Sequence, residues 1–142
     1  MFNVLLAEDN PADVYLIREA LREHQVDCDV RIATDGQQVL QILSADESPA
    51  DTGQPALIIL DLNLPRHDGI EILQHIRDTA QVPGVPVVVL TSSDSPHDRQ
   101  AATQLGVARF LQKPSSLDQF LSLGAIFKEL LEQSARLRQS RS

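Results

Sequence analysis

Asp61 closes an unbroken apolar run, Ala56-Leu57-Ile58-Ile59-Leu60, and opens a stretch, Leu62 to Gly69, with the composition of a loop. A carboxylate fixed at the tip of a buried strand is a costly core residue and a useful reactive one. Val4-Leu5-Leu6-Ala7 is a second run of this kind, and it too ends in acid, at Glu8 and Asp9. With both strands in one sheet, three carboxylates converge at one edge. Charges in near contact repel by roughly 1 kcal/mol in bulk water and about 4 kcal/mol at an effective dielectric of 20, so such a cluster requires a cation or a proton. Two further apolar runs end in Thr91-Ser92 and, a little beyond the second run, in Lys113. Carboxylates alone suit a hard divalent ion such as Mg²⁺. A lysine and a hydroxyl facing that ion across the same edge would cradle a phosphoryl group, its charge neutralised by metal and ammonium together.

Each residue also has a plainer reading. Thr91 could be an ordinary strand end, Lys113 a solvated charge, and Glu8 and Asp9 first-turn acids complementing a helix dipole. The joint occurrence of acids, hydroxyls and one cation at four separate strand ends favours a site.

The elements that must position these residues alternate along the chain. Five strand-length apolar runs stand out, over 3–7, 28–33, 56–60, 85–90 and 108–111. Four are rich in Val, Ile or Leu and mostly continuous, the pattern of strands covered by helices on both faces. Segments with helical spacing separate them. The first helix is expected from Pro11, with Asn10 as N-cap and Val14, Ile17, Ala20 and Leu21 on one face, stopping near His24. Asp35 and Gly36 open a second, with Val39, Leu40 and Leu43 inward. The polar stretch from Ala45 to Pro55 reads as a long loop and the place for disorder. Gly69 to Thr79 forms a third, with Ile70, Leu73 and Ile76 inward. Ser95 caps a fourth with Pro96 at its first position, ending at Gly106, and Ser115 or Ser116 starts the last. The fold class is therefore α/β: a doubly wound (βα)5, flavodoxin-like three-layer sandwich with a parallel sheet in the order 2-1-3-4-5. Right-handed crossovers put all strand carboxyl ends on one common edge, where ligands bind.

The bulk properties bound the function. A chain of 142 residues is one domain by length, able to bury about two thirds of its unfolded surface. A net charge of −8 argues against a nucleic-acid surface. The single cysteine, Cys28, excludes an internal disulfide and a cysteine-rich metal site, fits a reducing cytoplasm, and reads as a small buried hydrophobe. There is no basic segment before an apolar one at the N-terminus, and no apolar run near the roughly 18 residues of a membrane span. The expectation is a soluble cytoplasmic protein without a membrane partner.

These residues resemble the response regulator receiver domains of two-component signalling. The resemblance runs from Val4 to about Leu131. It is carried by Glu8-Asp9, by Asp61 within Leu60-Asp61-Leu62-Asn63-Leu64-Pro65, by Asp68-Gly69, by Thr91-Ser92 and by Lys113-Pro114. It implies that Asp61 accepts a phosphoryl group from the phosphohistidine of a sensor histidine kinase. It further implies that Asp9, Asp61 and the backbone carbonyl of Asn63 hold Mg²⁺ or Mn²⁺, with Glu8 reaching the ion through water. Thr91 and Lys113 would each bond a phosphoryl oxygen, with Ser92 beside them. The Lys113-Pro114 bond resembles the family's cis peptide, and Phe110 stands at its aromatic switch position, although a plain core role fits Phe110 equally. Activation in the family moves Thr91 toward the phosphoryl group and turns Phe110 inward, changing the face made by the fourth helix, fifth strand and fifth helix.

The receiver is expected over 1–132, followed by a polar tail over 133–142 and no effector domain, so that output passes through a partner, self-association or onward phosphotransfer. Asn10-Pro11-Ala12-Asp13, Leu62 to Pro65 and the insertion before the third strand resemble stand-alone regulators paired with phytochrome-type kinases, including bacteriophytochromes. In the last helix Leu117, Phe120, Leu121 and Phe127 can face the sheet, while Leu123, Ile126, Leu130 and Leu137 recur along a different stripe. That second stripe is read as a homodimer face, the alternative being a single wide stripe facing the core. His24, His67, His75 and His97 lack metal-ligand spacing and read as surface residues. A haloacid dehalogenase-type phosphatase shares the strand-end aspartate, Mg²⁺, hydroxyl and lysine, but requires a second aspartate where this chain has Asn63. A degenerate receiver serving only as a binding module is disfavoured by the intact set of Glu8, Asp9, Asp61, Thr91 and Lys113.

Overall fold

The structure, a computed structural model, describes residues 2–44, 55–65, 68–78, 85–93 and 95–140, with the backbone alone at 44 and 137–140. Strands β1 (Phe2–Ala7), β2 (Cys28–Ala33), β3 (Leu57–Leu60), β4 (Val87–Thr91) and β5 (Arg109–Gln112) alternate with helices α1 (Pro11–Glu23), α2 (Gly36–Ser44), α3 (Gly69–Asp78), α4 (Pro96–Gln104) and α5 (Leu117–Ser140). The sheet runs β2-β1-β3-β4-β5, every pairing parallel, as the alternation of elements predicts.

The continuous apolar runs have the cause expected of them. Along β1, Leu5 and Ala7 enter one core with Ile58 and Leu60 of β3 and Val87 and Val89 of β4, beneath Val39, Leu43, Ile72, Leu73, Ile76 and Ala102. Val4 and Leu6 enter the opposite core with Leu57, Ile59, Val88 and Leu90, beneath Ile17, Leu21, Phe120, Phe127 and Leu131. Alternate residues of each central strand thus meet a different helical layer, so the strand interiors are apolar on both faces, with Asn3 at the start of β1 and Thr91 at the end of β4 the polar members. The edge strands differ. Asp29 and Arg31 of β2 and Arg109 and Gln112 of β5 are exposed, and such polar side chains discourage pairing with a further strand.

Helix starts follow local side-chain chemistry. Asn10 caps α1, its Oδ1 accepting from Ala12 N–H at 2.9 Å. Asp35 Oδ1 accepts from Gln38 N–H at 2.8 Å, Asp68 Oδ1 from Ile70 N–H at 3.0 Å, and Ser95 Oγ from Asp98 N–H at 3.3 Å. Of the two serines before α5 it is Ser116 whose hydroxyl caps, accepting from Gln119 N–H at 3.1 Å. α4 ends at Gln104, two residues earlier than expected, with Gly106 in the left-handed region at φ 78°.

Leu62 and Leu64 lie in the loop expected after β3, with their side chains buried in the core. Three expectations need correction. Leu117, expected to face the sheet, is 59% exposed at the very start of α5. Leu123 is not on a separate stripe: it is buried among Phe120, Phe127 and Leu131, while Ile126 and Leu130 pack half-buried against the same core. One face of α5 is simply wider than the three-four spacing suggested, because α1 covers it. Lastly, the residues read as a polar tail from Gln133 continue α5 to Ser140, with Ser134 buried; no Gly or Pro interrupts them. Residues 45–54, expected as a loop, His67 and the side chain of Leu137 lie outside the described residues.

Candidate functional site

The ladder carries the polar residues to the sheet edge. Glu8 N–H donates to Ala33 carbonyl at 2.9 Å, Asp61 N–H to Ala7 carbonyl at 3.0 Å and Lys113 N–H to Thr91 carbonyl at 2.8 Å. Each residue therefore continues its strand by one step, and its side chain emerges at the carboxyl edge. Glu8, Asp61 and Thr91 are 1%, 4% and 0% exposed.

Lys113 is the hub. Its ammonium contacts Glu8 Oε1 at 2.6 Å, Asp13 Oδ2 at 2.7 Å and Asp61 Oδ2 at 2.8 Å. Three donors thus meet three carboxylates. Burial pushes the lysine toward its neutral form, but the hydrogen bonds it donates to Asp13, Asp61 and Glu8 outweigh it and the pKa is raised. Glu8 goes the other way. Burial is the largest influence and lifts it from 4.5 to about 7, against the opposing bonds from Lys113 and Asn10 N–H. Its Oε2 accepts from Asn10 N–H at 3.2 Å.

Glu8, Asp9 and Asp61 each place an oxygen so that all three lie within 4.8 Å of one another, a donor set with the chemistry of a hard divalent ion. Asp9 is exposed, Glu8 and Asp61 are buried. Negative charge exceeds what one ammonium neutralises, so a cation fits here on electrostatic grounds as well as by ligand type.

Asp61 Oδ1 accepts from Asn63 N–H at 2.9 Å, and the Asn63 amide donates to Thr91 Oγ1 at 3.2 Å. Thr91 Oγ1 also accepts from Ser93 N–H at 3.3 Å. The acceptor loop and the end of β4 are thereby stitched together through one hydroxyl. Ser92 beside them is exposed. Phe110 is half-buried on β5, against the core shared by α2, α3 and α4, with the Arg99 guanidinium 4.8 Å from its ring centroid. No peptide bond among the described residues is cis, Lys113-Pro114 included, which departs from the resemblance.

Sequence reasoning brought Glu8, Asp9, Asp61, Thr91 and Lys113 to one edge, and the structure places them there. It missed Asp13, the Asn63 side chain and Arg99. Asp13 stands in the first turn of α1, four positions after Asp9, and that proximity was the available signal. Arg77 also escaped notice. Its guanidinium donates to the carbonyls of Leu105 and Gly106, both at 2.9 Å, tying α3 to the end of α4.

The geometry has a family. Residues 4–123 match the response regulator receiver domain. The chain is a response regulator receiver domain. Among relatives of this receiver, the response regulator Rcp1 of Synechocystis sp. is 37% identical over 114 residues, covering 80% of this chain and 78% of that protein. The crystal structure of the phosphorylated cyanobacterial phytochrome response regulator RcpA superposes with a TM-score of 0.81 at 34% identity, covering 92% of this receiver and 93% of that chain. The Mn²⁺-bound form of Rcp1 superposes with a TM-score of 0.77 at 34% identity, covering 87% and 89%. Among the described residues of the receiver, no helix is long and apolar enough to cross a membrane.

Proposed function

We propose that Asp61 is the phosphoryl acceptor of this receiver. The observation that carries the reading is a buried carboxylate at the end of β3 with the Lys113 ammonium at 2.8 Å and, through Asn63, the Thr91 hydroxyl beside it. An Asp61 oxygen attacks phosphorus of a phosphohistidine on a sensor histidine kinase; the new O–P bond forms as the P–N bond breaks and the imidazole leaves. A carboxylate is already ionised, so no general base is needed, and the site's work is positioning and charge neutralisation. Lys113 pairs with one equatorial oxygen and Thr91 bonds another, with Ser92 at the rim.

Mg²⁺ or Mn²⁺ would be held by Asp9, Asp61 and the Asn63 carbonyl, with Glu8 beside it. It supplies charge neutralisation of the phosphoryl oxygens. The Mn²⁺-bound form of Rcp1 supports the choice of ion, and the phytochrome response regulator RcpA supports a phytochrome-type kinase, including a bacteriophytochrome, as partner. The Asn63 amide is engaged with Thr91 and has no acid–base function, which tells against the phosphatase reading.

The output is a change of the α4–β5–α5 face, where Phe110 is the switch, read by a separate partner, by onward phosphotransfer or by a homodimer through that face using Ile126 and Leu130. The protein works in the cytoplasm and without nucleic acid. Sedimentation velocity over a range of concentrations tests the dimer: a single monomeric boundary throughout removes it. Acetyl phosphate with Mg²⁺, followed by intact-mass measurement, tests the acceptor. One phosphoryl group is expected on the wild type and none on Asp61→Asn; an adduct that survives Asp61→Asn defeats the assignment, and sustained turnover of phosphate esters supports a phosphatase instead.

A further inference from the structure

Among the described residues, Asp13 is the one partner of the Lys113 ammonium that belongs to neither the divalent-ion donor set nor the acceptor. The ammonium divides its three donors among Glu8 at 2.6 Å, Asp13 at 2.7 Å and Asp61 at 2.8 Å. Two of these carboxylates, Glu8 and Asp61, are also members of the trio suited to a divalent ion. A doubly charged ion and an ammonium sharing two carboxylates repel each other, and a lysine on a flexible four-carbon stem escapes such repulsion by swinging into water. Asp13 comes from α1, an element that gives nothing to the trio. It is held by the Asn10 cap, with Val14 N–H on Asn10 carbonyl at 3.0 Å. Its side chain is 19% exposed, so it keeps some solvent contact while Lys113 is 12% exposed.

We propose that Asp13 is a positioning residue for the phosphoryl chemistry: it retains the Lys113 ammonium beside Asp61 once a divalent ion has engaged Glu8 and Asp61. This rests on the reading of Asp61 as acceptor. With the ion in place, one N–H stays on Asp13 and the other two are free to meet the oxygens of the incoming phosphoryl group. A first-turn acid also complements the dipole of α1. That accounts for the residue type, but not for a contact to a lysine 100 positions away.

Two measurements separate these roles. In the first, the ¹⁵Nζ–¹H correlation of the Lys113 ammonium is followed by NMR with Mg²⁺ alone. The wild type keeps a slowly exchanging signal before and after Mg²⁺. Asp13→Asn keeps it before and loses it after, and Asp13→Glu restores it. A signal that survives Mg²⁺ in Asp13→Asn, or vanishes in the wild type, overturns the proposal. In the second, the phosphorylation rate with acetyl phosphate at saturating Mg²⁺ falls on the order of tenfold in Asp13→Asn, the size of one lost charge-assisted hydrogen bond. In a Lys113→Met background the same substitution changes the rate by less than about twofold, because the residue through which it acts is gone. An equal drop in both backgrounds assigns Asp13 a structural role only. A wild type that takes up no phosphoryl group defeats the acceptor reading of Asp61, and the NMR comparison still decides whether Asp13 holds the lysine.

Discussion

The carboxyl edge of the sheet and the α4–β5–α5 face adjoin each other and are built on opposite terms. At the edge Glu8, Asp61 and Thr91 are buried and each has two or more named partners. Along α4 only Ala102 of nine residues is buried, and β5 leaves Arg109 and Gln112 exposed. That face is held by Arg77 on the carbonyls of Leu105 and Gly106 and by Arg99 over Phe110. Chemistry at phosphorus requires groups fixed to within a fraction of an ångström. A signal requires a surface whose two arrangements differ by little free energy. The receiver keeps the two demands in separate layers, joined at β4 and β5.

The difference can be broken most sharply at Lys113. Removing the cation in Lys113→Met leaves Glu8 and Asp61 buried and uncompensated, and a loss of about 3–5 kcal/mol is expected in urea unfolding without divalent ion. Added Mg²⁺ restores part of it. A variant as stable as wild type would mean that the edge is not held electrostatically.

Next comes pH. Glu8, raised from 4.5 to about 7 by burial, binds a proton more tightly folded than unfolded. Its contribution is therefore fully present below pH 4.5 and is lost as pH rises to about 7, worth about 3 kcal/mol at most. Glu8→Gln is expected to flatten that part of the stability profile, measured by urea midpoints between pH 4.5 and 8.

Gly69→Ala should cost about 1–3 kcal/mol, because a Cβ there would meet the Leu62 backbone, 2.5 Å from its carbonyl oxygen. Leu62 follows Asp61, so phosphorylation should slow along with the fall in thermal midpoint. Arg99→Met is the smallest. Loss of one exposed cation–π contact is worth about 0.5–1 kcal/mol, and the effect should appear in the side-chain NMR of Phe110 and leave metal binding at the edge unchanged. An effect of Arg99→Met as large as that of Lys113→Met would erase the distinction between the two regions.

The two regions were also unequally legible in the sequence. Strands β1, β3 and β4 are buried on both faces, so their apolar runs and the polar residues ending them could be read directly, and Glu8, Asp61 and Thr91 with them. The partners of Lys113 could not be read in full, since Asp13 reaches it across 100 positions from a helix whose first turn explains an acid in local terms. α5 misled for a related reason. Its apolar spacing resembles two stripes, yet Leu123 of the second sits in the core packed beside Phe120 and Phe127, with Ile126 and Leu130 half-buried at its margin. Contacts made by long side chains to backbone, such as Arg77 to Leu105, leave no periodic trace.

The central claim is that a phosphoryl group gained at a rigid edge is expressed on the loosely held face. Amide hydrogen exchange of the wild type with and without acetyl phosphate and Mg²⁺, with Asp61→Asn as reference, tests it most directly. Exchange is expected to change in α4 and β5, to stay constant in β1 and β3, and to be indifferent to acetyl phosphate in Asp61→Asn. Unchanged exchange in α4 and β5 of a protein shown by mass to be phosphorylated would contradict the account.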